Sequence, residues 1–292
     1  MRIVLFGKNG QLGWELERTL PLLGEVVSLD RKQLDLCDLH AIQNTLDDLR
    51  PDLIVNASAY TEVDKAEIES ETAMKINAMA PGIMAEAARK FNAVLIHYST
   101  DYVFDGKTNV PYTEAATTNP LNVYGKSKVV GEKNIEQAGG AYLILRTSWV
   151  YSLRGNSFVN KVLGWARNNE TLKLVNDQVG NPTWARMLAE ITSLTLAKNS
   201  ENLFENIKEK RGIYHLAGSG HASRFEWATH ILANDPNRER QVVRNILPAT
   251  SDEFPTPAIR PLYSALDCSK FEKIFDLRLP DWKDTLQLAM QA

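Results

Sequence analysis

Cysteine is scarce in this chain, and so is any excess of positive charge. Its 292 residues include two cysteines, Cys37 and Cys268, far apart in sequence. So few thiols exclude a disulfide-stapled secreted scaffold; two free thiols in a reducing compartment are expected. Lys and Arg number 33 against 36 Asp and Glu, a net charge of −3. That balance lacks the basic footprint of a nucleic-acid binder, so no nucleic-acid partner is expected. Long apolar runs are missing too. None approaches the ~20 residues that span a bilayer. Met1–Phe6 is too short for a secretory signal before Gly7 and Lys8 end it. No membrane partner is expected, and the expected location is cytoplasmic. None of the five histidines stands at ligand spacing from cysteines or acids, which argues against zinc. His97 falls within an apolar strand pattern and reads as a core or loop histidine. Repeats and low-complexity tracts are also absent.

What is present is a regular alternation. Apolar runs at Arg2–Phe6, Glu25–Leu29, Asp52–Asn56, Ala93–Tyr98 and Tyr142–Arg146 read as strands buried on both faces. Helical patterns lie between them: Trp14–Leu20, a helix capped by Asp38 and running to about Arg50, and Met74–Phe91. Strand–helix alternation predicts a parallel, doubly wound Rossmann-type α/β sheet with right-handed crossovers. After residue 150 the alternation weakens. Residues 1–150 are read as a dinucleotide-binding domain, with segments near 184–218 returning to it. Residues 151–292 are read as mostly a smaller α+β substrate domain. The charged stretch from Asn199 to Arg211 reads as an exposed connection.

The first turn carries Gly7, Gly10 and Gly13 between a strand and a helix. Such glycines let the backbone turn tightly and approach a pyrophosphate bound at the helix N-terminus. The second strand ends at Asp30, an acceptor for ribose hydroxyls, as in NAD sites. Arg31 follows, a partner for the 2′-phosphate of NADP. The two pull in opposite directions, so both NADPH and NADH remain candidates. Small residues from Ala57 to Thr61 and Ser99-Thr100-Asp101 end two further strands. In open α/β sheets, ligands bind beyond such carboxyl ends.

One helix begins with Tyr124 and carries Lys128 one turn on. At this spacing the side chains share a face and are expected to meet. An ammonium beside a phenol is expected to lower the phenol's pKa from about 10. The Pro-rich run Phe254–Pro261 reads as an ordered loop, with Arg260 as a candidate anion contact.

These features together resemble the extended short-chain dehydrogenase/reductases. The glycine turn, Ser99-Thr100-Asp101 and the Tyr124/Lys128 pair carry the likeness. The stretches Arg146–Tyr151, Asp177–Thr183 and Pro255–Pro261 are similar to a narrower branch, the nucleotide-sugar 4-keto reductases. The resemblance spans nearly the whole chain. It implies NAD(P)H-dependent reduction of the C4 ketone of dTDP-4-dehydro-6-deoxy-L-mannose, within rhamnose and cell-surface polysaccharide synthesis. It also implies roles. Tyr124 would be the general acid, with Lys128 its partner on the nicotinamide ribose and Thr100 near the reacting oxygen. Gly10, Gln11 and Leu12 would touch the pyrophosphate, and Asp35 and Leu36 the adenine. Ala59, Tyr60 and Thr61 would line the nicotinamide side, and Asp101 and Trp149 the sugar. Related dehydratases look like Ser-Thr-Asp-Glu at this strand end. Tyr102 stands in place of that acid, which disfavours dehydration. Some members dimerise through a metal bridged by three glutamates. Glu15 matches one, but Arg186 and Lys283 occupy the other positions, so no bridging Mg²⁺ and a monomer are expected. The rival expectations are a silent cofactor-binding subunit, resembling the regulatory subunit of methionine adenosyltransferase, and a reductase or epimerase of another nucleotide deoxysugar.

Overall fold

Five apolar runs become adjacent parallel strands because each is flanked by helices that cover both faces. The computed structural model describes residues 1–291. Strands β1 (Arg2–Phe6), β2 (Glu25–Leu29), β3 (Leu53–Asn56), β4 (Val94–Thr100), β5 (Ala141–Thr147) and β6 (Gly212–His215) form one sheet. Their spatial order is β6-β5-β4-β3-β1-β2, and every pair is parallel. Successive side chains point to opposite faces. Ile3, Leu5, Val55 and Ile96 therefore pack with Leu12 and Leu16 of helix α1 (Gln11–Thr19) and with Leu188. Val4, Phe6, Ile54 and Leu95 pack on the other face with Ile42 and Leu46 of α2 (Leu39–Leu49) and Met84 of α3 (Ala80–Phe91). Asp38 caps α2 by accepting from Ala41 N.

The strand order reverses direction between β1 and β3, which opens a crevice at their carboxyl ends. Gly7 lies there with φ +90°. A Cβ on Gly7 would sit 2.6 Å from Ser58 Oγ and 3.0 Å from the Ala57 backbone. Only glycine suits both that dihedral and that contact.

A second core surrounds Tyr151, Val162, Trp184, Trp227, Ile231 and Leu286. It includes the helices Phe158–Asn168, Arg224–Ala233 and Trp282–Gln291 and the paired strands Thr171–Val175 and Asn245–Ala249. The helix Ala185–Lys198 belongs to the first core, contributing Leu188, Ala189 and Ile191.

Two segments differ from the sequence reading. The single helix expected over Met74–Phe91 contains a π turn, Lys75–Met79, ahead of α3. Asn77 within it turns inward and is buried. Its side chain accepts from Tyr60 N (2.8 Å) and donates to Tyr60 O (3.1 Å) and Ser127 Oγ (3.0 Å). The extra residue in a π turn re-aims one side chain, and such turns concentrate at functional sites. The stretch expected to be an exposed connection holds a helix, Leu203–Glu209. Its Ile207 is fully buried, with Leu203 and Phe204 packed on the first core. Three apolar residues among charges are enough to anchor one helical turn, and the charged composition hid them. Among the described residues, no helix is long and apolar enough to cross a membrane.

Candidate active site

A cleft of about 900 Å³ opens along the carboxyl ends of the strands. Its floor at one end is the turn between β1 and α1, where Gly10, Gln11 and Leu12 line the wall. Gly10 N donates to Gly7 O at 3.0 Å, which closes the turn. Gly13 lies behind it, and a Cβ there would stand 2.0 Å from Gly7 O. The helix thus begins hard against the strand, with free N–H groups aimed at the cleft. The Gln11 side chain bridges outward, its Oε1 accepting from Ser152 N at 2.7 Å.

Asp30 ends β2 at the cleft margin. Its carboxylate accepts from Asn9 Nδ2 (3.0 Å), Lys32 N (2.9 Å) and Gln33 N (3.1 Å). Desolvation works upward on this group, but the hydrogen bonds from Gln33, Asn9 and Lys32 outweigh it and hold the carboxyl low. Arg31 also lines the cleft, largely exposed, and pairs with Asp35 at 3.6 Å. Leu36 is buried beside it. From the β3 end, Ala59, Tyr60 and Thr61 enter the wall, with the Tyr60 backbone clamped at both polar atoms by Asn77.

The reactive end lies where β4, β5 and α4 (Val123–Ala138) converge. Asn122 caps α4 by accepting from Gly125 N at 2.8 Å. A Cβ on Gly125 would stand 2.2 Å from Tyr102 O. The first turn of α4 therefore presses onto the turn after β4, bringing Thr100, Tyr124 and Lys128 to one wall of the cleft. The Tyr124 ring meets Tyr102 edge-on at 5.9 Å. Burial pushes the Tyr124 phenol well above its usual value; the Thr100 hydroxyl opposes this, and Asp101 and Tyr102 add to it.

That direction corrects the expectation of an ammonium-lowered phenol. The Lys128 amine does not hydrogen-bond Tyr124. It turns under the sheet, donating to Tyr98 O at 2.7 Å and lying 3.1 Å from His97 Nε2. A strand carbonyl and an imidazole within reach are stronger partners than a neighbouring neutral phenol. Lys128 is 1% exposed. Burial lowers its pKa to about 8, against the upward pull of Glu132. Glu132 is itself held by Arg146 through two bonds of 2.9 and 2.7 Å and by Ser99 Oγ at 2.5 Å.

Asp101 is 3% exposed. Its carboxylate accepts from Thr100 Oγ1 (3.2 Å), Ser148 Oγ (3.1 Å) and Ser264 Oγ (2.5 Å). Burial raises its pKa, and those hydroxyls moderate the rise. Trp149 follows β5 with φ +44° and faces the cleft. It stacks on Trp227 at 5.5 Å, and the Arg224 guanidinium lies 3.6 Å from its ring centroid. Arg224 is a residue that sequence reasoning missed; a lone Arg opening a helix carries no signal of this placement. His97 and Asn56 were missed similarly, since a buried strand pattern gives no hint that their polar atoms lead to Lys128. Arg260 is not brought to the cleft wall. It is committed to Asp64 at 2.7 Å, with further bonds to Thr256 and Ala258 O. Its guanidinium lies beside Tyr102 and near Arg224.

At the position expected to resemble a metal-bridging carboxylate, Glu15 has the cations Arg186, Arg18 and Arg154 around it. Burial still raises its pKa. Among the described residues no group of three or more His, Cys, Asp or Glu side chains is placed to hold a metal.

The whole chain, residues 1–292, matches the family model described as the RmlD substrate binding domain. It is 41% identical over 288 residues to the dTDP-4-dehydrorhamnose reductase of Escherichia coli K12, covering 97% of this chain and 95% of that protein. It is 38% identical over 298 residues to that of Burkholderia thailandensis, covering 100% and 98%. Among solved structures, dTDP-4-dehydrorhamnose reductase from Bacillus anthracis in complex with NADP superposes with a TM-score of 0.89 at 32% identity, covering 99% of this chain and 98% of that one.

Proposed function

The chain belongs to the RmlD substrate-binding-domain family of dTDP-4-dehydrorhamnose reductases, and from that premise we propose the roles of its cleft residues in the reduction of dTDP-4-dehydrorhamnose to dTDP-L-rhamnose. The protein is an NAD(P)H-dependent oxidoreductase. The reading rests on one observation above all: Thr100, Tyr124 and Lys128 face the same end of a cleft whose other end is a glycine-built helix N-terminus.

The residues present fit a dinucleotide. Gly10, Gln11 and Leu12 would hold the pyrophosphate by backbone N–H groups. Asp30 and Arg31 would meet the adenosine ribose, with Asp35 and Leu36 toward the adenine. Ala59, Tyr60 and Thr61 would border the nicotinamide. When bound, the reduced cofactor supplies the hydride. The chain supplies the rest. A phenol with a pKa of about 10 is protonated at neutral pH, and burial moves Tyr124 further in that direction; this is the form that can deliver a proton to the C4 oxygen. The Thr100 hydroxyl is the group placed to steady the charge left on the phenol oxygen, since the Lys128 amine is held by Tyr98 O and His97. Asp101 and Trp149 would border the sugar, and Arg224 reinforces the face of Trp149. The second core, within residues 151–292, would close over the substrate. Arg31, exposed and paired with Asp35, supports use of NADPH, and Asp30 supports use of NADH.

The cations facing Glu15 do not fit a bridging metal, so we read the working unit as a metal-free monomer in the cytoplasm. Gel filtration with and without a chelator tests this; a dimer that dissociates on chelation would overturn it. The activity is tested by following NADPH and NADH oxidation with the 4-keto sugar nucleotide supplied. Tyr124→Phe should lower turnover at least ~10²-fold while NADPH binding persists. Near-normal turnover in that variant would refute the assignment.

A further inference from the structure

The imidazole under Lys128 has a tautomer that the surrounding atoms dictate. Asn56, His97 and Lys128 are 0%, 0% and 1% exposed, so no solvent arbitrates among their polar atoms. Ser58 N donates to Asn56 Oδ1 at 3.1 Å. That bond fixes which way the Asn56 amide points, because only the oxygen can accept. Nδ2 is then left facing His97 Nδ1 at 3.0 Å. An amide NH₂ only donates, so Nδ1 must accept. A neutral imidazole that accepts at Nδ1 carries its proton on Nε2. Nε2 is the atom 3.1 Å from Lys128 Nζ. Nζ meanwhile donates to Tyr98 O at 2.7 Å.

An ammonium has three N–H donors and no acceptor. With Nε2–H aimed at it, an ammonium would set donor against donor across a dry gap. A free amine has a lone pair to receive that proton. We propose that His97 is a positioning residue that acts through Lys128: locked as the Nε2–H tautomer by Ser58 N–H and Asn56, it favours the free amine and so lowers the basicity of Lys128. The tautomer stands apart from the reductase reading; only the consequence for turnover rests on it. The other groups facing Lys128 are few. On its own helix are Tyr124 and Glu132, the latter paired with Arg146 from β5 and bonded to Ser99 of β4; its charge pulls the Lys128 pKa upward. From β4 come His97 and the Tyr98 carbonyl; the Tyr98 hydroxyl points away to Thr192. From the π turn, Asn77 presents an uncharged amide to Ser127. Burial keeps His97 from taking a second proton.

The direct test is the ¹⁵N spectrum of the histidine-labelled, cofactor-free protein, with His97 assigned by difference from His97→Gln. Nε2 should resonate as a protonated ring nitrogen and Nδ1 as an unprotonated one. The reverse pattern overturns the proposal. The second test follows titration of the Lys128 amine through its ¹³Cε shift, assigned by Lys128→Arg. In His97→Gln the amide oxygen can accept from Lys128. In Asn56→Asp the carboxylate moves the ring proton to Nδ1 and frees Nε2 to accept. Each should raise the Lys128 titration by about 1–2 pH units, the worth of one hydrogen bond to a charged group. A folded variant with the wild-type midpoint overturns the proposal. If either variant fails to fold, the wild-type ¹⁵N pattern still decides. Absence of reductase activity with the Nε2–H pattern intact would count against the function while leaving the tautomer clamp standing.

Discussion

Replacing Glu132 by Gln should cost the protein much of its stability. Glu132 and Arg146 are both buried, their side chains 3% exposed, and joined through two bonds of 2.9 and 2.7 Å. Gln keeps the shape and one acceptor oxygen. Its NH₂ then points at a guanidinium N–H, and the Arg146 charge loses its counter-charge in a dry site. Arg146 has no slack to absorb this, since its second terminal nitrogen, Nη1, already lacks a partner. Breaking a buried pair from one side typically costs 3–5 kcal/mol. For a chain of this size that corresponds to a Tm lower by about 5–8 °C. Urea unfolding of wild type and variant would measure it. The effect reaches the active site as well. Glu132 pulls the Lys128 pKa upward against burial. Without that charge Lys128 should titrate further below about 8, and the alkaline limb of the kcat/KM profile should move to lower pH. The double variant Glu132→Leu/Arg146→Leu should lose less than either single change, because no charge is stranded. A loss under about 1 kcal/mol in Glu132→Gln would refute the reasoning.

Three further outcomes follow from the geometry. Gly13→Ala would place a methyl 2.0 Å from Gly7 O, a backbone atom, so the turn must open; calorimetry should find NADPH affinity lowered at least tenfold and the Tm reduced. Lys128 should make stability depend on pH. Its folded pKa, about 8, is depressed below the ordinary 10.5, so between those values the unfolded chain holds a proton the folded one does not. Stability should therefore rise with pH across that window, and Lys128→Met should flatten the slope in urea titrations at pH 7 to 10. Arg224→Leu removes the guanidinium 3.6 Å from the Trp149 ring centroid. Steady-state kinetics should show a raised KM for the sugar nucleotide, with the KM for NADPH unchanged; equal effects on both would argue for general unfolding.

Much of the fold was legible because its causes are local. Five apolar runs of strand length, the glycines after β1 and the cap at Asp38 each report on a few neighbouring residues. A parallel sheet then puts every strand end on one side, which is why Gly10, Asp30, Tyr60, Thr100 and Trp149 meet in one cleft. The π turn at Lys75–Met79 was not legible, since its residues follow an ordinary helical pattern. Neither was the helix Leu203–Glu209, whose few apolar residues are outnumbered by charges.

The spacing of Tyr124 and Lys128 on one helix was determined by sequence alone, as was their position after the Thr100 strand. Where the Lys128 amine points was decided by tertiary structure, because its partners, Tyr98 O and His97, come from a strand some thirty residues away. The same holds for Asp101, whose hydroxyl shell is drawn from Ser148 and Ser264, and for Arg260, which Asp64 holds away from the cleft wall. Periodicity and turn chemistry act between near neighbours along the chain. The partners of a buried polar atom are set only when distant segments close over it and remove the water that would otherwise satisfy it.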